Sequence, residues 1–196
     1  VSGNGASGIS ISGTSTTGNA VMGNDIGTNA AGSAELGNGI DGVNVSSGAQ
    51  NNTIGGDASG EGNVISGNDD FGVYLSGTGT TGNTVSGNLI GLTANGNAAL
   101  GNTTGVGTGA GANNTLIGGD TTAERNVISG NSSTGVSLGS DGNTVSGNYV
   151  GTDVNGTAEL GNGSAGVSIN GSSNTIGGDA AAERNLISGN GADGVA

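Results

Sequence analysis

The sequence predicts an all-β solenoid of about six full coils with three short strands per coil, and three observations carry that expectation. Of 196 residues, 47 are Gly and 27 are Asn, while Pro, Cys, His, Lys and Trp are missing altogether. Val, Ile and Leu nevertheless recur at fixed phase, which a disordered low-complexity segment does not show. The chain also repeats itself, because aligning on the phrase "ISGN" places Val1, Ile65, Ile128 and Ile187 in register at spacings of 64, 63 and 59 residues. The long repeats run approximately over 1–62, 63–125 and 126–184, with 185–196 starting a fourth, and all belong to one solenoid segment, 1–196.

Each long repeat reads as two coils. Within a strand an apolar residue alternates with Ser, Thr or Gly, the period of two that sends side chains to opposite faces. Such short strands cannot bury an apolar face singly, whereas stacked coils bury it continuously. In the third repeat the first strand points Ile128 inward, the second Val136 and Leu138, and the third Val145; the next coil repeats this with Val150, Val167 with Ile169, and Ile176. The corresponding residues are Ile9, Ile11, Val21, Ile26, Val43, Val45 and Ile54 in the first repeat, and Ile65, Val73, Leu75, Val85, Ile90, Val106 and Ile117 in the second. At "GVGT" (105–108) a Thr replaces the second apolar residue, which predicts a thinner core there.

Asn at the corners tolerates a left-handed backbone, and its amide can bond the Asn one coil away in a ladder. Asn68, Asn131 and Asn190 form one expected family, and Asn24, Asn88 and Asn148 another. The second coil of each repeat is longer, about 37 residues against about 22, through inserts at 27–42, 91–105 and 151–166. Each insert carries one Leu at the same phase, Leu36, Leu100 or Leu160. Packing of these residues on the outward side of the first strand (Val64, Leu89, Val127, Tyr149, Leu186) would contribute ~1.5–3 kcal/mol per fully buried Leu. The alternative is an exposed apolar stripe that binds a partner.

The phrases "NTIGG", "RNVISGN", "GVSI", "NTVSGN" and "GTDVNGTAELGNG" resemble the right-handed parallel β-helix repeats of large secreted bacterial surface proteins, within the broad pectate-lyase-like superfamily. The resemblance covers the whole chain. It implies a right-handed, single-stranded parallel β-helix at the cell surface or outside the cell. It fixes no activity, because such helices host lyases, hydrolases, epimerases, adhesins and passive spacers.

Fifteen carboxylates against Arg125 and Arg184 give a net charge of −13, which repels a nucleic-acid backbone. No apolar run is long enough to span a membrane as a helix. The loops "GGDASGEGN", "GGDTTAERN" and "GGDAAAERN" keep Asp57 and Glu61, Asp120 and Glu124, and Asp179 and Glu183 four residues apart. Such pairs are weak Ca²⁺ candidates, since Ca²⁺ takes six to eight oxygens. The competing expectation is an Asp that caps a short helical turn, with the following Arg paired to a carboxylate. Asp153, Asn155 and Glu159 in "GTDVNGTAE" are a further weak Ca²⁺ candidate, although the counterparts of Asp153 are Asn29 and Thr93.

For function, the sequence favours a non-catalytic structural segment of an extracellular surface protein, stalk or filament, whose partners are further repeats or like chains and, secondarily, glycans or divalent cations. No catalytic residue and no cofactor other than Ca²⁺ is expected: both Arg occupy equivalent loop positions, and the acids are scattered by the repeat rather than gathered in a cleft. A carbohydrate-binding or polysaccharide-processing helix is the alternative. Ice binding is a lesser one, resting on Thr53, Thr84, Thr144 and Thr175 as an outward file that Ala20 and Leu116 interrupt. Eight Asn-X-Ser/Thr triplets, among them those at Asn51, Asn131 and Asn170, are about what so much Asn, Ser and Thr gives by chance. The last ten residues match the first ten at six positions, from which the sequence reading expects a window of a longer array of such repeats.

Overall fold

The computed structural model describes residues 1–196 as a single solenoid. The first two coils hold β1 (Ile9–Ser12), β2 (Ala20–Val21), β3 (Asp25–Ile26), β4 (Val43–Ser46), β5 (Thr53–Gly55) and β6 (Val64–Ile65). The middle two hold β7 (Phe71–Ser76), β8 (Thr84–Ser86), β9 (Leu89–Ile90), β10 (Thr104–Thr108), β11 (Leu116–Gly118) and β12 (Val127–Ile128). The last two hold β13 (Val136–Leu138), β14 (Thr144–Ser146), β15 (Tyr149–Val150), β16 (Val167–Ile169), β17 (Thr175–Ile176) and β18 (Leu186–Ile187).

Every third strand pairs in parallel, so three six-stranded sheets wrap the axis: sheet one (β3-β6-β9-β12-β15-β18), sheet two (β1-β4-β7-β10-β13-β16) and sheet three (β2-β5-β8-β11-β14-β17). This is the parallel β-helix expected, and its parallel crossovers are of the kind that strand twist makes right-handed. The single helical element is a 3₁₀ turn at Ala181–Glu183.

All the residues assigned inward line the interior, fully buried except for the half-buried Ile9, Ile169 and Ile176. They stack in columns along the axis; one column in sheet two reads Ile11, Val45, Leu75, Thr108, Leu138, Ile169. The β-branched side chains fit because identical rungs present them at one height, and each burial contributes roughly 1.5–3 kcal/mol. Thr108 sits in that column 3 % exposed, a hydroxyl among hydrocarbons.

Each of the three corners carries an asparagine ladder. Between sheets one and two it runs through Asn4, Asn38, Asn68, Asn102, Asn131, Asn162 and Asn190. Between sheets three and one it runs through Asn24, Asn63, Asn88, Asn126, Asn148 and Asn185. The two expected families are therefore alternate members of continuous ladders. A third ladder, between sheets two and three, joins Asn19, Asn52 and Asn83, then Asn143 and Asn174, with Thr115 standing in the gap.

One bonding pattern recurs in the first two ladders. The backbone N–H and the Nδ2 of one Asn both donate to the Oδ1 of the Asn one coil further on, as Asn88 does to Asn126 at 3.0 Å each. The Nδ2 also donates to a core-strand carbonyl one coil back, Val85 O at 2.8 Å for Asn126. Both lone pairs and both N–H groups of the amide are thus satisfied in a site that excludes water.

The "GV" that opens the strands of sheet two has a steric cause. A Cβ on Gly72 would lie 2.7 Å from Gly105 O and 2.8 Å from Ile90 Cγ2, and one on Gly135 would lie 2.6 Å from Gly166 O. Only glycine lets successive corners close to that separation.

The long inserts are small closed loops with antiparallel bridges at Thr28–Glu35, Leu92–Ala99 and Thr152–Glu159. They touch one another, Ala94 N–H donating to Gly32 O at 2.9 Å and Val154 N–H to Gly96 O at 3.1 Å, and so form a ridge along the solenoid. The expected packing of their repeated Leu is only half met. Leu36 is 53 % exposed, and Leu100 and Leu160 are half-buried.

What repeats at this position is a backbone clamp. Leu36, Leu100 and Leu160 donate N–H to Gly27, Gly91 and Gly151, and accept at their C=O from Gly3, Gly67 and Gly130 of the neighbouring coil. The fully buried apolar residue of the inserts is Leu92, with Thr28 and Thr152 buried at its equivalent positions. On the outer side of sheet one, Val127 is buried and Val64, Leu89, Tyr149 and Leu186 are half-buried; the turn of the third insert reaches Tyr149 and Leu186 at Gly156.

The ladders set a stability test. Asn126→Ala strands the Asn88 donors and removes the side-chain bonds to Asn148 Oδ1 and Val85 O in a dry corner, and should cost about 3 kcal/mol, whereas Asn97→Ala, an exposed side chain in an insert, should stay within about 0.5 kcal/mol. Denaturant titration of the two variants reads the difference.

Candidate functional site

The carboxylates singled out from sequence fall into two structural groups. The three acidic loops sit at the corner between sheets three and one, on alternate coils. In each, the Glu turns back into its own loop: Glu61 Oε2 accepts Ala58 N–H at 3.0 Å, Glu124 Oε2 accepts the N–H groups of Asp120 and Thr121 at 3.1 and 3.0 Å, and Glu183 Oε2 accepts Ala180 N–H at 2.7 Å.

This corrects the expected roles. Glu, not Asp, holds the turn, and Asp57, Asp120 and Asp179 are exposed beside it. A glutamate three residues into the turn has the reach to close it from behind, as in a capping box. The expected Arg–carboxylate pair is replaced as well. Arg125 donates from Nε to Gly147 O at 3.1 Å and lies 4.0 Å from the centre of the Tyr149 ring, a cation–π contact between adjacent coils.

Asp153 closes the third insert. Its Oδ1 accepts the N–H groups of Thr157 at 2.7 Å and Ala158 at 3.0 Å, and its Oδ2 accepts Asn155 Nδ2 at 3.2 Å. These bonds, the backbone ones foremost, hold its carboxyl below the ordinary value of 3.8. Asn29 does the same in the first insert, accepting Ser33 N–H at 3.0 Å and Ala34 N–H at 3.4 Å. Asp and Asn interchange because each offers an oxygen that accepts two N–H bonds without needing a charge, whereas Thr93 at the same position of the middle insert donates from Oγ1 to Asn95 Oδ1 and Ala98 O. Glu159 is exposed. No group of three or more acidic side chains has the geometry of a metal cage.

Sheet three presents Ala20, Thr53, Thr84, Leu116, Thr144 and Thr175 in register as one outward file. Ser86 and Ser146, next in their strands, are 3 % exposed, so a second parallel file is not on the surface. A shallow groove of about 220 Å³ opens between the second and third acidic loops, lined by Leu116, Thr144 and Ser146 of sheet three and by Asp120, Glu124 and Glu183. Among the glycosylation triplets, Asn131 is a buried ladder member, whereas Asn51 and Asn170 are exposed.

One constellation escaped the sequence reading. On sheet two the Phe71 and Tyr74 rings stack at 4.4 Å and 20°. They lie over two glycines of the next coil: a Cβ on Gly107 would be 2.6 Å from Phe71 Cδ1, and one on Gly109 would be 3.0 Å from Tyr74 Cζ. The rings thus replace the side chains that β10 lacks, an aromatic cover over glycine. The available signal was glycine at 107, where the register partners are Tyr74 and Ser137.

Beside the rings, Asp41 is 2 % exposed and accepts Asn44 Nδ2 at 2.8 Å and Phe71 N–H at 3.3 Å. Burial, and then the charge of Asp41, push the neighbouring Asp70 carboxyl above 3.8.

No protein-family model, no curated protein and no solved structure matches this chain.

The two shifted carboxyls predict opposite responses to acid. Asp153 titrates lower in the folded chain than in the unfolded one, so its stabilisation is complete above its ordinary value and is lost as pH falls through the lowered one. Asp70 titrates higher when folded, so its contribution is greatest below its ordinary value and is lost as pH rises through the raised one. Thermal melts should find Asp153→Ala destabilising at pH 7 and less so as the pH is lowered, Asp153→Asn mild throughout, and Asp70→Asn stabilising at pH 7.

Proposed function

We propose that the chain is a non-catalytic structural segment, a stiff rod within an extracellular surface protein, stalk or filament, whose partners are further repeats of the same kind. The observation that carries this reading is the register of its side chains: two unbroken ladders, a third interrupted once at Thr115, and the inward columns run along the solenoid and dictate the residues at nearly every rung. Half of the eight carboxylates singled out from sequence, Glu61, Glu124, Glu183 and Asp153, are committed to closing loops. The acidic surface keeps such rods apart in solution and can gather divalent cations without a built site. The likeness of its phrases to β-helix repeats of secreted bacterial surface proteins supports the same placement outside the cell and within the pectate-lyase-like superfamily.

A second reading, a carbohydrate-binding or polysaccharide-processing helix, draws on the Phe71–Tyr74 stack beside Asp41 and Asp70. Electron micrographs of the native material should contain rods of one width, and isolated globules would oppose the structural reading. Steady depolymerisation of pectate or alginate by the purified chain would replace it with the second.

A further inference from the structure

We propose that the fourth coil (β10–β12) is a built-in opening point, at which the solenoid parts into two stacks before either stack unwinds. The inference concerns the solenoid itself and goes beyond its proposed role as a rod.

Three features of coil four converge on one corner. Thr115 takes the place of asparagine in the third ladder, and its Oγ1 is the one buried side-chain polar atom in the protein with no hydrogen-bond partner. On the side toward coil three, Asn83 bonds back to Ala49 O at 3.0 Å, and its Nδ2 makes no onward ladder bond. At the other end of the same corner Thr108 fills the inward column between Leu75 and Leu138, with its hydroxyl 3.5 Å from Asn143 Nδ2. A buried hydroxyl so poorly partnered weakens the core where methyl groups hold the other rungs.

The outward side is held toward coil three only. β10 carries Gly107 where it faces Ser137, so the aromatic cover belongs to coil three and ties coil four to coil three alone. In a solenoid each coil contacts only its neighbours, so the weakest rung sets where the stack divides. Opening at 108–115 leaves coils one to three and coils five and six each with intact ladders, and reclosing restores a register that the ladders on either side still define.

Hydrogen exchange read by mass spectrometry on the full chain tests this. Amides of Val106–Thr108 and Leu116–Gly118 should exchange about tenfold or more faster than their register partners in β7, β8, β13 and β14, the factor expected from about 1.4 kcal/mol less protection. Thr115→Asn, which restores the ladder, should slow coil four toward its neighbours. Thr108→Val, which completes the column and gives up only the long 3.5 Å bond from Asn143 Nδ2, should slow it independently, and slowing in either variant supports the proposal. Equal protection of coils three, four and five in the parent chain, or exchange in coil four that neither variant alters, would overturn it.

Discussion

A tight corner in a solenoid buries peptide groups that no sheet pairs and no water reaches, and one interaction resolves that conflict here: the asparagine amide bonded to its counterpart a coil away. Each amide uses its four hydrogen-bonding positions on the corner peptide, a core-strand carbonyl and the next amide, as Asn126 does with Asn88, Val85 and Asn148. Because the corners close without solvent, the strands can be as short as two residues and still stack. The core then needs only a thin column of Val, Ile and Leu. Eighteen of the 27 asparagines belong to these ladders, which accounts for a composition that resembles disorder at first sight.

The ladders also explain how coils of about 22 and about 37 residues share one rise. Each insert leaves and rejoins the wall at a neck closed by the bonds of Leu36 to Gly27, Leu100 to Gly91 and Leu160 to Gly151. Beyond the neck it closes on itself, through Asn29 in the first insert and Asp153 in the third. The added residues therefore impose no strain on sheet register. Insert sequence is free to vary where the corners are not, and Asn29, Thr93 and Asp153 do differ at one position.

Much of the fold was legible because the repeat samples the same site several times. Alternation predicted the inward Val, Ile and Leu of the strands from Ile9 to Ile176, though not Ala49 and Ala112, which join the core from the corners, and the phrase "SGN" marked alternate members of two ladders. The third ladder was missed although its Asn52, Asn83, Asn143 and Asn174 open the recurrent phrases "NTI" and "NTV", because an Asn that opens a strand phrase reads as part of the strand rather than as a corner. The acidic loops misled for a different reason: Asp and Glu keep one spacing, and only the reach of the side chain decides which of them closes the turn. The Phe71–Tyr74 cover was missed because the glycines it shields lie a whole coil away, so Gly107 points to it only once the register is known. The exposed Leu36 and buried Leu92 reverse a hydropathy argument, because the repeated Leu is held through its backbone.

Ladder bonding has a direction that the strands alone do not impose. In every pair the amide nearer the N-terminus donates and the one nearer the C-terminus accepts, from Asn4 to Asn190 and from Asn24 to Asn185. Aligned amides in a dry interior polarise one another, and each bond is strengthened by about 10–30%. The solenoid is consequently an electrically oriented body with a head and a tail. Two such rods laid side by side pointing the same way, or in opposite ways, are different assemblies with different energies, even though their outlines are the same.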